Sequence, residues 1–167
     1  MAKHNRTERL LSEWLHSQNN LWFLKLHNNP LAHQTTPSDF LVLSKAIDAP
    51  DYLNDVDVNV LNAYLVECKE CTCSNEQGRW HYDRLTQIED MIRFQKYSSR
   101  CISYLFITFH DTNWMKSDIY LIPIDMYIAY LPYDRQSLNR KDFKDIFIKY
   151  KIEYKIKDGI NLNSYFI

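Results

Sequence analysis

The sequence predicts an α/β fold with a mixed central sheet flanked by helices, and three observations carry that prediction. Short apolar runs recur at residues 21–26 (LWFLKL), 39–43 (DFLVL), 63–70 (AYLVECKE), 101–110 (CISYLFITFH) and about 119–124, and each reads as a strand. The second and third are nearly continuous in apolar residues, as strands buried on both faces are. Two stretches with apolar residues at helical spacing flank and divide them, giving the order α-β-β-β-α-β-β with a helical or irregular C-terminal tail. With 167 residues and 20.1 kDa, one domain over residues 1–167 is expected, with its core at about 5–124 and an extension at 125–167.

The first helix is predicted over about residues 6–16, where Asn5 or Thr7 can cap the free amides and Leu10, Leu11, Trp14 and Leu15 form an apolar stripe. Residues 27–37, with two prolines among polar residues, read as a loop. The segment after the second strand is acidic, with Asp48, Asp51, Asp55 and Asp57, and no Lys or Arg occurs from position 46 to 66. It lacks the glycine and closing glutamate of a calcium loop, so it reads as a solvated insertion. A second helix is predicted over about 83–97, with Leu85, Ile88, Met91 and Ile92 as its buried stripe.

Composition narrows the function. Lys plus Arg total 20 against 21 acids, a formal charge of −1, which excludes a histone-like protein but not a local basic DNA-binding face. The only glycines, Gly78 and Gly159, cannot write a Rossmann fingerprint or a Walker loop. Polar first residues and short apolar runs give no membrane span, and four cysteines without a secretory signal suit reduced thiols in a cytoplasmic setting. Cys68, Cys71, Cys73 and His81 lack the paired knuckles of a zinc site.

The chemistry sits in Pro37-Ser38-Asp39 and Glu67-Cys68-Lys69. Charged side chains inside apolar strands are costly unless paired or used. Strand alternation points Glu67 and Lys69 to one side and Cys68 to the other. If the strand of Asp39 is a neighbour, two carboxylates and an ammonium converge. Such a group can hold a hard divalent cation, leave room for water and a phosphate oxygen, and stabilise the charge that builds during phosphodiester hydrolysis. The tail from 140 to 158 carries seven basic residues against four acids, interleaved with Phe143, Phe147, Tyr150 and Tyr154. It reads either as an accessory DNA contact or as an amphipathic helix packed on the sheet or a second subunit.

These elements resemble the PD-(D/E)xK nuclease superfamily, and within it the Holliday junction resolvases of archaeal and of Gram-positive bacterial or phage type. The matching segments occur in order over about residues 5–124. Asn5-Arg6-Thr7-Glu8-Arg9-Leu10 resembles the opening helix, Pro37-Ser38-Asp39-Phe40 the aspartate motif, and Leu65-Val66-Glu67-Cys68-Lys69-Glu70 the glutamate-x-lysine strand. Residues 81–87 resemble the segment that carries a glutamine, and 101–109 with 120–123 the closing strands. The chain differs from compact members in its long acidic gap, its near-neutral charge and its missing early glycines.

The resemblance implies a restriction-endonuclease-like core and a Mg²⁺-dependent endodeoxyribonuclease, with Mn²⁺ able to substitute. It implies metal ligation by Asp39 and Glu67, a catalytic role for Lys69, and supporting roles for Glu8 and Gln87. Arg9 and Lys25 are the implied DNA contacts, four-way DNA junctions the implied partner, and a homodimer the implied assembly.

Overall fold

Asn5 opens the first helix, α1 (Arg6–His16), by accepting the Thr7 amide on its side chain at 3.0 Å, and Leu10, Leu11, Trp14 and Leu15 are its buried stripe. This description comes from a computed structural model, in which residues 5–26, 38–45, 61–73, 75–81, 85–114, 116–130, 137–155 and 158–166 are described. Most of the acidic insertion, the loop at 27–37 with Pro37, and Asp83 lie outside the described residues.

Three strands follow α1 as an antiparallel meander: β1 (Leu21–Lys25), β2 (Phe40–Lys45) and β3 (Leu61–Thr72). A short β4 (Arg79–His81) and α2 (Ile88–Gln95) lead to β5 (Cys101–His110), which pairs parallel with β3. A parallel pair needs a crossover connection, and α2 lies on that connection. β6 (Ser117–Pro123) turns back antiparallel to β5. The tail then supplies α3 (Ile124–Ala129), β7 (Ser137–Asn139), α4 (Arg140–Phe147), β8 (Lys151–Ile152), β9 (Tyr154–Lys155) and β10 (Gly159–Ile160). The central sheet has six strands in the order β1-β2-β3-β5-β6-β8, mixed as the sequence predicts.

Helices cover both faces. On one, α1 packs over Phe40, Val66, Cys68, Phe106 and Leu121, joined by Leu162 and Phe166 from the C-terminal end. On the other, Met91 of α2, Tyr127 of α3 and Phe143 and Phe147 of α4 pack on Leu105, Ile107, Phe109 and Tyr120. Burying a large apolar side chain is worth about 1.5–3 kcal/mol, so these two layers hold the sheet rigid at its centre. β3 and β5 are accordingly buried on both faces from Tyr64 to Cys68 and from Ser103 to His110.

Two expectations are corrected. The second helix begins at Ile88, not near Asp83: Leu85 is buried, but Thr86 and Gln87 form a turn, so Gln87 stands at the helix's N-cap. The tail is neither only helical nor only irregular: β8 extends the central sheet against β6, and β7 pairs with β4. Among the described residues no helix is long and apolar enough to cross a membrane.

Candidate active site

The site forms where β2 and β3 run side by side. Phe40 pairs with Val66, so continuing the antiparallel register by one residue sets Asp39 opposite Glu67. Opposed residues share a face of the sheet, which brings the two carboxylates together. The backbone keeps Asp39 in place: its amide donates to the Val66 carbonyl at 3.2 Å, and its carbonyl accepts the Leu26 amide at 2.8 Å. Its Oδ2 accepts the Cys68 amide at 2.7 Å, a bond that orients the carboxylate along β3.

Glu67 lies in the middle of the buried run of β3 and is 1% exposed. Lys69, two residues on, pairs its Nζ with Glu67 Oε1. Among the described residues, Glu67 Oε2 is buried without a hydrogen-bond partner. Cys68 faces the other way, into the layer beneath α1, where burial pushes its thiol well above its ordinary range and keeps it protonated. Cys71 and Cys73 pack in the opposite layer, so the three thiols do not share a side.

Glu8 reaches the same region from α1 and pairs with Lys25 Nζ of β1 at 2.8 Å. Glu8, Arg9, Lys25, Asn5 and Ser12 line a cleft of about 310 Å³. Arg9 is exposed and pairs with Glu13 at 3.4 Å, while Lys25 also lies 5.9 Å from the centre of the Phe40 ring. Gln87, in its turn before α2, accepts the Thr86 hydroxyl on Oε1 at 3.0 Å.

Electrostatics identify what this group lacks. Burial pushes the Asp39 carboxyl above its ordinary value, and the charge of Glu8 adds to the rise, while the Cys68 amide, Lys69 and Lys25 oppose it. Burial, and after it the charge of Asp39, pushes Glu67 up to about 7 despite Lys69. Three carboxylates thus face two ammonium groups, and desolvation outweighs the pairing. A divalent cation fits such a donor set, because it adds the missing positive charge and gives the orphaned Oε2 a partner. Among the described residues no three His, Cys, Asp or Glu side chains gather into a metal cage. Two carboxylates, with water completing the shell, suit Mg²⁺, which commonly keeps several waters.

The sequence reading misses Glu70. It follows Lys69 but points to the opposite face, where Oε2 accepts the amides of Arg6 at 3.0 Å and Thr7 at 3.3 Å, at the N-terminus of α1. Strand alternation is the signal that could have found it, since Glu70 falls on the same side as Cys68 and α1.

Two basic residues of the tail are spent on one acid inside the fold. Arg140 holds Asp118 Oδ2 through Nε at 2.7 Å and Nη2 at 2.6 Å, and Lys151 holds Oδ1 at 2.5 Å. Phe143 and Phe147 are fully buried, so they are packing residues and not stacking platforms for bases. Of the two readings of the tail, the packed one is what the aromatic side chains follow.

No protein-family model matches the chain, and no curated protein matches it. Among solved structures it is similar to Hjc, a Holliday junction resolvase from the archaeal hyperthermophile Archaeoglobus fulgidus. That similarity has 10% identity and a TM-score of 0.40, and covers 89% of this chain and 95% of the other.

Proposed function

We propose that the protein is a Mg²⁺-dependent DNA endonuclease that hydrolyses phosphodiester bonds, with four-way junctions as its substrate and two copies acting together. The observation that supports this best is the register that sets Asp39 opposite Glu67, with Lys69 paired to Glu67 and both carboxyls raised chiefly by burial. The order of the motifs along the chain supports it as well.

Asp39 and Glu67 would hold the cation, which when bound supplies Lewis-acid polarisation of a phosphate oxygen and lowers the pKa of water. Asp39 is aimed by the Cys68 amide, which holds Oδ2, so Oδ1 would be the oxygen that ligates. Lys69 gives the site a mobile ammonium: it rests on Glu67 Oε1 and, when substrate arrives, can turn to the attacking water and the oxygens that gather charge. Glu8 pairs with Lys25 beside the cleft, and Lys25 and Arg9 would meet phosphates flanking the scissile bond. Two copies related by a two-fold axis would present paired sites to the two opposed strands of a junction.

The experiment is cleavage of a synthetic four-way junction beside linear duplex and single strand, in Mg²⁺ and in Mn²⁺. Paired nicks confined to the junction are expected. Cutting of linear DNA keeps the nuclease and removes the junction preference. Silence on every substrate with both metals leaves a non-catalytic DNA-binding module in its place.

A further inference from the structure

We infer that Glu70 is a positioning residue, which clamps the N-terminus of α1 to β3 and so sets where Glu8 stands at the site. This rests on the endonuclease reading above and extends it to a side chain on the far face of the same strand. Over four residues β3 does two things. Glu67 and Lys69 face the site, and Glu70 faces α1.

The clamp is built on both sides of the carboxylate. Oε2 takes the Arg6 amide at 3.0 Å, the Thr7 amide at 3.3 Å and the Thr7 hydroxyl at 3.4 Å. These are amides that the first turn of a helix leaves without intrahelical partners, and a negative charge there also opposes the helix dipole favourably. The Asn5 side chain, the local cap, reaches only the Thr7 amide, so Glu70 is the group that ties the amides of this turn to β3. Oε1 meets Nε2 of His110 at the end of β5, at 3.0 Å. The other ring nitrogen, Nδ1, lies 2.6 Å from the Asp111 carbonyl and must donate to it.

The far side of His110 is closed by Trp114, whose ring stacks on the imidazole at 3.9 Å between centroids. Trp114 is held at φ 59°, a left-handed backbone that a bulky side chain rarely adopts. Arg6 in turn lies over the indole, 4.5 Å from its centre. Arg6, Glu70, His110 and Trp114 therefore join α1, β3 and the β5–β6 turn into one unit. Glu8 is the next residue but one after Arg6, so its place within electrostatic reach of Asp39 and Glu67 is set from this end as well as by Lys25. Partners that orient the groups around a metal site alter affinity or activity by about 10-fold to 100-fold when removed.

The test compares the full chain with Glu70→Ala, Glu70→Gln and Glu70→Asp, each checked for folding by circular dichroism. Three quantities are read: hydrogen exchange of the Arg6 and Thr7 amides, Mn²⁺ affinity by calorimetry, and single-turnover junction cleavage as rate against KM. For Glu70→Ala we expect faster exchange at both amides, and Mn²⁺ affinity and cleavage rate lower by about tenfold or more with KM for DNA unchanged. Glutamine keeps an acceptor for the α1 amides, and its NH₂ can serve a neutral His110, so Glu70→Gln should stay within about threefold of wild type in all three. If Glu70→Ala does not fold, Glu70→Asp, whose carboxylate is one methylene short, takes its place.

A folded variant with lowered melting temperature but unchanged exchange, Mn²⁺ affinity and cleavage rate would reduce Glu70 to a stabilising contact and overturn the inference. If wild type cleaves no DNA, the endonuclease reading falls by itself. The exchange measurement then still decides the clamp: unchanged protection in the variant refutes it, and lost protection upholds it.

Discussion

Replacing Glu67 with glutamine should reshape how stability depends on pH, with a sign and size that follow from the burial of its carboxyl. In the folded protein that carboxyl is pushed from 4.5 up to about 7, chiefly by desolvation and then by Asp39. A shift of that extent corresponds to about 3 kcal/mol. The folded state holds this proton more tightly than the unfolded chain does. Its contribution is therefore fully present below pH 4.5 and is lost as the pH rises through about 7. Asp39, also raised by burial, acts in the same direction. Glutamine does not titrate, so the stability of Glu67→Gln relative to wild type should climb by about 3 kcal/mol between pH 4.5 and neutrality. In a chain of this length that is a relative shift of about 6–12 °C in melting temperature. The assay is denaturant unfolding of both proteins in EDTA across this range. Added Mg²⁺ should restore the wild-type loss at high pH and do little for the variant, since a ligand that binds only the folded state stabilises it. Curves that run parallel at all pH values would refute the reasoning, because Glu67 would then carry no displaced proton.

The remaining predictions concern the scaffold. A Cβ added to Gly78 would lie 2.0 Å from Cβ and 2.8 Å from Sγ of Cys73, so Gly78→Ala should cost about 1–3 kcal/mol in chemical denaturation, and Cys73→Gly in the same chain should recover most of it. Phe143→Ala removes a fully buried ring packed at tilted and edge-on angles among Phe109, Tyr120 and Phe147, and should cost about 3–5 kcal/mol while leaving the affinity of the folded protein for DNA unchanged. Burial alone would raise Asp118, but hydrogen bonds from Lys151 and Arg140 outweigh it and hold the carboxyl below its ordinary value. The stability this provides is present above pH 3.8 and lost as the pH falls, so Arg140→Ala should lose about 1.5–3 kcal/mol near neutrality and less in acid, read by unfolding at both pH values.

Much of the fold was legible in the sequence where one local rule sufficed. α1 announced itself by Asn5 and a clean apolar stripe, and its predicted bounds match those observed. β3 was legible because a nearly continuous apolar run suits a strand covered on both faces, with the charged pair Glu67 and Lys69 standing out against it, and β5 because its run is among the most apolar in the chain. The start of α2 was not legible, because Leu85 and Ile88 keep helical spacing across a turn that ends only at Gln87. Nor was the role of the tail. A two-residue strand such as β8 has no periodicity, and its place beside β6 is set by tertiary hydrogen bonds. Arg140 looked like a free cation because its partner Asp118 is 22 residues earlier in the chain. Glu70 was hidden for the same reason, since the α1 amides it holds lie 64 and 63 residues away.

The most direct test of the central claim is single-turnover cleavage of a labelled four-way junction in Mg²⁺ by wild type, Asp39→Asn and Lys69→Ala, with EDTA as the control. The account predicts paired nicks by wild type, none in EDTA, and loss of at least about 100-fold in rate for each variant while junction binding survives. Wild-type rates in Lys69→Ala, or undiminished cutting in EDTA, would contradict it.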